Sequence, residues 1–279
     1  MAFSKTLLLL WLVLCASISN GTTNNGKFSD LKGNPGLRSA SALVLDANGN
    51  VIYSKDIDSV RPIASITKLM TAMVILDSGL DLQEKITITK EDRDLVRLTG
   101  SRLDYGATLS RKDLVLLALM SSENRAATAL GRNYPGGMQK FVTDMNRKAK
   151  ALGMIDSEFA DPAGLHSQNV STAQDLAIMV AAAGDYALIT EATTTQRKQV
   201  RPYDKRGPLN YGNTNRLLKN ANWDIELSKT GYINEAGRCL VMQANIEGED
   251  VSIVLLNSFG KLTPFGDSNR LRKWMLASS

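Results

Sequence analysis

Histidine and cysteine are almost missing: the 279-residue chain has one of the first, His166, and two of the second, Cys15 and Cys239. That supply is too small for a zinc site built on several imidazole or thiolate ligands, and a Cys-His protease has nothing to work with, so no metal or other cofactor is expected. A Ser-His-Asp triad would have to use His166, and no Gly-x-Ser-x-Gly elbow accompanies it. His166 therefore reads as a loop histidine with an ordinary structural contact. Long apolar runs are equally scarce, because beyond the first twenty residues no stretch approaches a transmembrane helix.

What is present has the make-up of a globular protein, 43% hydrophobic and 22% charged. The start differs from the rest: Lys5, the apolar run Leu7 to Leu14 and the small residues Ala16-Ser17-Ile18-Ser19 form a secretory signal peptide over residues 1–20, too short for comfortable spanning. Cys15 follows Leu14, where a lipid-attachment site needs a small residue, so a lipoprotein is not expected. Export places the mature protein in the periplasm, beginning near Asn20 or Gly21. Cys239 is then the lone cysteine, and no intramolecular disulfide can form. The Gly- and Asn-rich residues 21–38 read as a flexible leader, and order is expected from Ser39, with residues 39–279 as one domain. The net charge of +5 would suit a polyanion, but the densest basic group, Arg197-Lys198 with Arg201 and Lys205-Arg206, has only Tyr203 interleaved. That is a solvated basic face and not a nucleic-acid surface.

Two β-rich ends flank a helical middle. Residues Ser41–Asp46 and Val51–Ser54, joined through Asn48-Gly49, predict an opening hairpin. Apolar residues at helical spacing predict a helix from Ile66 to Leu76, and Ser110 with Asp113 predicts a capped helix through Met120. Further helices are expected from about Met138 to Leu152, stopped by Gly153, and from Ser171, with Gln174 as its capping partner, to Gly184. Strand character returns over Glu226–Ile233, Cys239–Ile246 and Val251–Ser258. Early and late strands sharing one antiparallel sheet, a helical insertion between them and a terminal helix near Arg270 give an α+β fold with a crevice between two lobes. That last helix is amphipathic; it is expected to pack on the core, with at most peripheral membrane contact.

If a serine is to act without histidine, lysine is the base to look for, since burial or a neighbouring cation lowers its pKa readily. Pro62-Ile63-Ala64-Ser65-Ile66-Thr67-Lys68 offers the pair, with Lys68 one turn beyond Ser65 and the helix N-terminus favouring negative charge there. Ser-x-x-Lys also occurs at Ser29/Lys32 and Ser258/Lys261, but only Ser65 opens an apolar helix. Two further motifs follow in order: Ser122-Glu123-Asn124 after an apolar helix, and Lys229-Thr230-Gly231 inside a late strand. Each is weak alone; together, each on a suitable element, they are specific.

The stretches from Arg61 to Ala72, Ser121 to Ala127, Phe159 to Leu165 and Leu227 to Tyr232 resemble the low-molecular-mass penicillin-binding proteins of the S11 peptidase family, over nearly the whole mature chain. The resemblance implies a β-lactamase/transpeptidase-like fold with a five-stranded antiparallel sheet and a mostly helical inserted lobe. It further implies that Ser65 is the acyl-ester nucleophile, Lys68 its proton acceptor, Ser122 a proton relay to the leaving amine, and Asn124 a holder of Lys68 and of the substrate backbone. Lys229 and Thr230 would take the substrate carboxylate, Gly231 would allow close approach, and the N–H groups of Ser65 and Tyr232 would form the oxyanion hole. A cationic Lys229 is also expected to help depress the pKa of Lys68.

The activity implied is that of a cell-wall DD-peptidase acting on peptidoglycan peptides and inhibited covalently by β-lactams. An endopeptidase opening D-Ala to diaminopimelate cross-links is favoured over a carboxypeptidase trimming terminal D-Ala, because only about fifty residues follow Lys229, enough for the rest of a sheet and one helix. A β-lactamase is disfavoured, since no Glu-x-x-Leu-Asn pattern lies between Asn124 and Lys229. A penicillin sensor would need a transmembrane signalling unit, and none is encoded.

Overall fold

The late strands carry apolar residues on both pleated faces, so they need cover on both sides. The computed structural model describes residues 27, 28 and 30–278; the expected signal peptide and the first part of the leader lie outside the described residues. Five strands, Ser41–Asp46 (β1), Val51–Lys55 (β2), Asp224–Ile233 (β3), Gly237–Ile246 (β4) and Glu249–Ser258 (β5), form one sheet in the order β2-β1-β5-β4-β3. Every pair in it is antiparallel, with Val44 opposite Ile253 and Val241 opposite both Val254 and Lys229. Gly49, at φ 82°, turns the first hairpin as expected.

Alternation divides each strand between two cores. Leu43, Leu227, Val241, Val254 and Leu256 join the large core shared with the helical lobe. Ala42, Val44, Leu240, Met242, Ile253 and Leu255 face the opposite way, onto Leu271 and Met275 of the last helix, Thr263–Ser278 (α7). The inserted lobe holds six helices: Lys68–Asp77 (α1), Arg111–Met120 (α2), Asn124–Arg132 (α3), Gly137–Leu152 (α4), Ala173–Gly184 (α5) and Ala187–Thr194 (α6). The Ser110 cap of α2 and the left-handed Gly153 stop of α4 stand where their local chemistry predicts.

Three expectations are corrected. The cap of α5 is Thr172, whose side chain accepts from Asp175 N–H, because Ser171 is held in a two-residue ladder with Arg61 and cannot turn into the helix. Helices α3 and α6 were not anticipated. The second part of the leader is not loose: Phe28 and Leu37 are buried on the α7 face of the sheet, and Trp274 Nε1 donates to Lys32 O at 2.7 Å. Buried Asp267 then accepts from Ser39 N–H and Oγ–H, at 2.7 and 2.6 Å. Phe28 and Leu37, with Leu31 packed beside them, dock this segment, since each removes apolar area from water.

Candidate active site

Ser65 lies in a 3₁₀ turn, Ala64–Thr67, that runs directly into α1. Residues three apart eclipse one another in that geometry, which brings Lys68 beneath Ser65 more directly than the α-helical start expected from sequence. Lys68 Nζ stands 2.8 Å from Ser65 Oγ. Ala64, immediately before the serine, has φ 49°, and Ser122 has φ 59°. Left-handed backbone at two non-glycine residues flanking one cleft is strain that the surrounding packing must hold.

Lys68 is fully buried, and its ammonium has two further partners: Asn124 Oδ1 at 2.8 Å and the carbonyl of Ala163 at 2.5 Å. Both are obligatory acceptors, so in the neutral amine two hydrogens go to them and the lone pair is left facing Ser65 Oγ. Burial lowers the Lys68 pKa to about 8, against a partial opposing pull from the carboxylates of Asp161, Glu123 and Asp94. A substantial neutral fraction thus exists near neutral pH, as a general base requires.

Ser122 and Lys229 form the second half. Lys229 Nζ donates to Ser122 Oγ at 3.0 Å and to the carbonyl of Thr230 at 2.9 Å, while Thr230 Oγ1 donates to Thr214 Oγ1 at 2.7 Å. Burial pushes Lys229 well below the ordinary ammonium value, and the charge of Lys68 pushes it the same way. Burial is the leading cause for both lysines, and their mutual repulsion acts in the same direction. The two halves share a cleft of about 770 Å³ lined by Ser65, Ser122, Asn124, Thr230, Gly231 and Tyr232.

Two glycines let the serine turn sit where it does. A Cβ on Gly231 would meet Ile63 O at 2.7 Å, so β3 can pass against the turn only without a side chain there. On the other side a Cβ on Gly164 would meet Ala64 O at 2.0 Å, and Gly164 has φ 73°. The turn is clamped between the strand and the loop that supplies the Ala163 carbonyl.

Of the eight residues singled out in the sequence, six line this cleft, and Lys68 and Lys229 lie buried behind it, bonded to Ser65 and Ser122. Asp161 carries no motif of its own, yet its Oδ1 accepts from Ala163 and Gly164 N–H at 2.7 Å each and its Oδ2 accepts from His166 N–H at 2.8 Å. It thereby aims the Ala163 carbonyl at Lys68; the stretch Asp161-Pro162-Ala163-Gly164 was legible as a turn but not as a ligand to an amine 95 residues away. Thr99 and Thr214 were likewise missed: Thr99 Oγ1 accepts from Asn124 Nδ2 at 2.9 Å and fixes which face of that amide meets Lys68. His166 contributes backbone contacts in the same loop, through its N–H and its carbonyl.

The family model for S11 peptidases, described as D-alanyl-D-alanine carboxypeptidase, matches residues 30–260. A protein from Pseudomonas aeruginosa named D-alanyl-D-alanine endopeptidase is 50% identical over 86% of this chain and 77% of its own length. One of the same name from Escherichia coli is 47% identical over 86% of this chain and 78% of its own. Among solved structures, a Streptomyces DD-transpeptidase superposes with a TM-score of 0.81 at 27% identity, covering 88% of this chain and 100% of that one.

Proposed function

The chain belongs to the S11 family of serine-type D-alanyl-D-alanine peptidases, and from that premise we propose that it opens peptide cross-links of peptidoglycan through an ester on Ser65. The observation that carries the proposal is the three-way hold on Lys68, which leaves one lone pair directed at one hydroxyl. Neutral Lys68 takes the Ser65 proton as Oγ bonds to the carbonyl carbon of a D-Ala residue. The oxyanion so formed is met by the N–H groups of Ser65 and Tyr232, a contribution of several kcal/mol to lowering the barrier. The C–N bond then breaks as the Ser122 hydroxyl passes a proton to the leaving amine and is refilled by the proton Lys68 took from Ser65, which restores the neutral amine, and water later hydrolyses the ester. A carboxylate on the leaving side, settling beside Lys229 and Thr230, favours the charged form of that lysine. A β-lactam enters the same sequence and stops at the ester.

Cross-link cleavage is preferred to trimming of terminal D-Ala because both relatives near half identity bear the endopeptidase name. The test uses purified mature protein with cross-linked muropeptide dimers and with monomeric pentapeptides. Monomers released from dimers are the expected products; loss of the terminal D-Ala alone would make the enzyme a carboxypeptidase. The proposal includes export to the periplasm with removal of residues 1–20, supported by the charged and apolar pattern at the start. N-terminal sequencing of the exported protein is expected to begin near Asn20 or Gly21, and a chain beginning at Met1 would refute it.

A further inference from the structure

Tyr232 divides the neighbourhood of Ser65 in two. On the Asn234 side of the strand a smaller cavity is lined by Val96, Arg97, Leu165 and Ile233, and its cation is paired, Arg97 with Glu235 at 2.8 Å. On the Thr230 side the main cleft continues past Ser122 to Arg216, Lys219 and Lys261, and no Asp or Glu lines it. Arg216 and Lys219 stand at the two ends of a four-residue 3₁₀ turn, and with three residues per turn both fall on one edge. Leu217, buried in the core, and the Asn215 side chain, accepting from Leu217 N–H at 3.0 Å, fix that edge toward the cleft. Lys261 comes to the same cavity from the loop between β5 and α7. None of the three is paired with a carboxylate among the described residues. The remaining cation of this wall, Arg238, is stacked 3.6 Å from the Tyr232 ring centre and is already engaged.

Three like charges lining one cavity without an acidic residue repel each other unless an anion joins them. The cavity, about 770 Å³, is of the size that encloses a drug-sized ligand, far more than one departing alanine fills. Lys229 and Thr230, at the near end, have capacity for one carboxylate beside the scissile bond. On the reading that the enzyme opens cross-links, we propose that Arg216, Lys219 and Lys261 form a subsite for the leaving branch of the substrate. They hold carboxylates of that branch beyond the one next to the bond being cut, and so select branched, cross-linked peptides over linear ones, whose leaving group is a single D-Ala with a single carboxylate.

The test compares wild type with the triple variant Arg216→Gln, Lys219→Gln, Lys261→Gln on three substrates: cross-linked muropeptide dimers, the same dimers amidated only on those carboxylates of the leaving branch that lie beyond the one next to the scissile bond, and monomeric pentapeptides. Exposed charge contacts are individually weak and add up over three, so kcat/KM of the variant on free-acid dimers is expected to fall about 10- to 30-fold, with pentapeptide turnover changed less than about threefold. Amidation should cost the wild type a similar factor and the variant almost nothing, and added salt should erode the wild-type preference. Equal losses on dimers and pentapeptides, no loss on either, or a wild type indifferent to amidation would overturn the subsite. A wild type that is labelled by fluorescent penicillin yet cuts no dimer at all would overturn the cross-link reading itself, an outcome distinct from the others.

Discussion

Lys68→Met is expected to lower the rate of covalent labelling by fluorescent penicillin by at least about 10³-fold, in keeping with the loss of a well-placed general base. Methionine matches lysine in length but offers Ser65 no lone pair, and it leaves the Asn124 amide oxygen and the Ala163 carbonyl without their shared donor. Ser65→Ala, which lacks the attacking atom, should form no adduct at all and serves as the blank. The pH dependence separates a base from a mere spacer. In the wild type Lys68 titrates at about 8, and only its neutral form can accept the proton, so raising the pH increases the active fraction. Labelling should climb about tenfold per pH unit below that value and level off above it. The residual rate of Lys68→Met should lack this limb. A wild-type rate flat between about pH 6 and 8, or a methionine variant within about tenfold of wild type, would mean that Ser65 is activated by something other than this amine.

Gly164→Ala should disable the enzyme without touching any group that reacts. The new methyl would lie 2.0 Å from Ala64 O and 2.4 Å from Ala64 C, and the backbone at Gly164 has φ 73°. Neither side can yield cheaply. Ala64 is itself in left-handed backbone, and the loop behind Gly164 is tied down by the five donors that converge on the Asp161 carboxylate, the N–H groups of Ala163, Gly164, Leu165 and His166 and the Asn169 amide. Displacing the serine turn by about 1 Å is enough to cost acylation about 100-fold. The strain and overpacking should also remove about 3 kcal/mol or more of stability, read as a lower denaturation midpoint in urea. Gly207→Ala is the control, since nothing lies within 4 Å of the Cβ it would add. A Gly164→Ala protein as stable and as quickly acylated as that control would show that the clamp on the turn has slack.

Both experiments turn on contacts of different legibility. The Ser110 cap, the Gly153 stop and the Gly49 hairpin depend on neighbours within a few residues, and side-chain chemistry alone places them. The α5 cap went astray by one position because two adjacent hydroxyl residues, Ser171 and Thr172, are equally good caps, and only the ladder to Arg61 removes the first from the competition. Helix α3 buries mostly alanines, which mark its face only weakly by residue type, while the eight-residue α6 is too short for a clear period and is stabilised by packing on α2 and β3. The docking of the leader was hidden for a related reason: its polar composition masks Phe28 and Leu37, which matter only once the α7 face of the sheet exists.

By itself the sequence determined what one helical turn can settle: which serine has a lysine three residues on at the start of an apolar helix, and which two later motifs have the hydroxyl, amide and ammonium to accompany it. Only the tertiary structure decided how that lysine becomes a base. Asn124 and Ala163 reach Lys68 from 56 and 95 residues away, and Lys229 reaches Ser122 across 107. A pKa near 8 arises because folding strips water from the amine while granting it only as many acceptors as leave one lone pair for Ser65. Burial is a property of the whole packed chain, and no window of residues carries it.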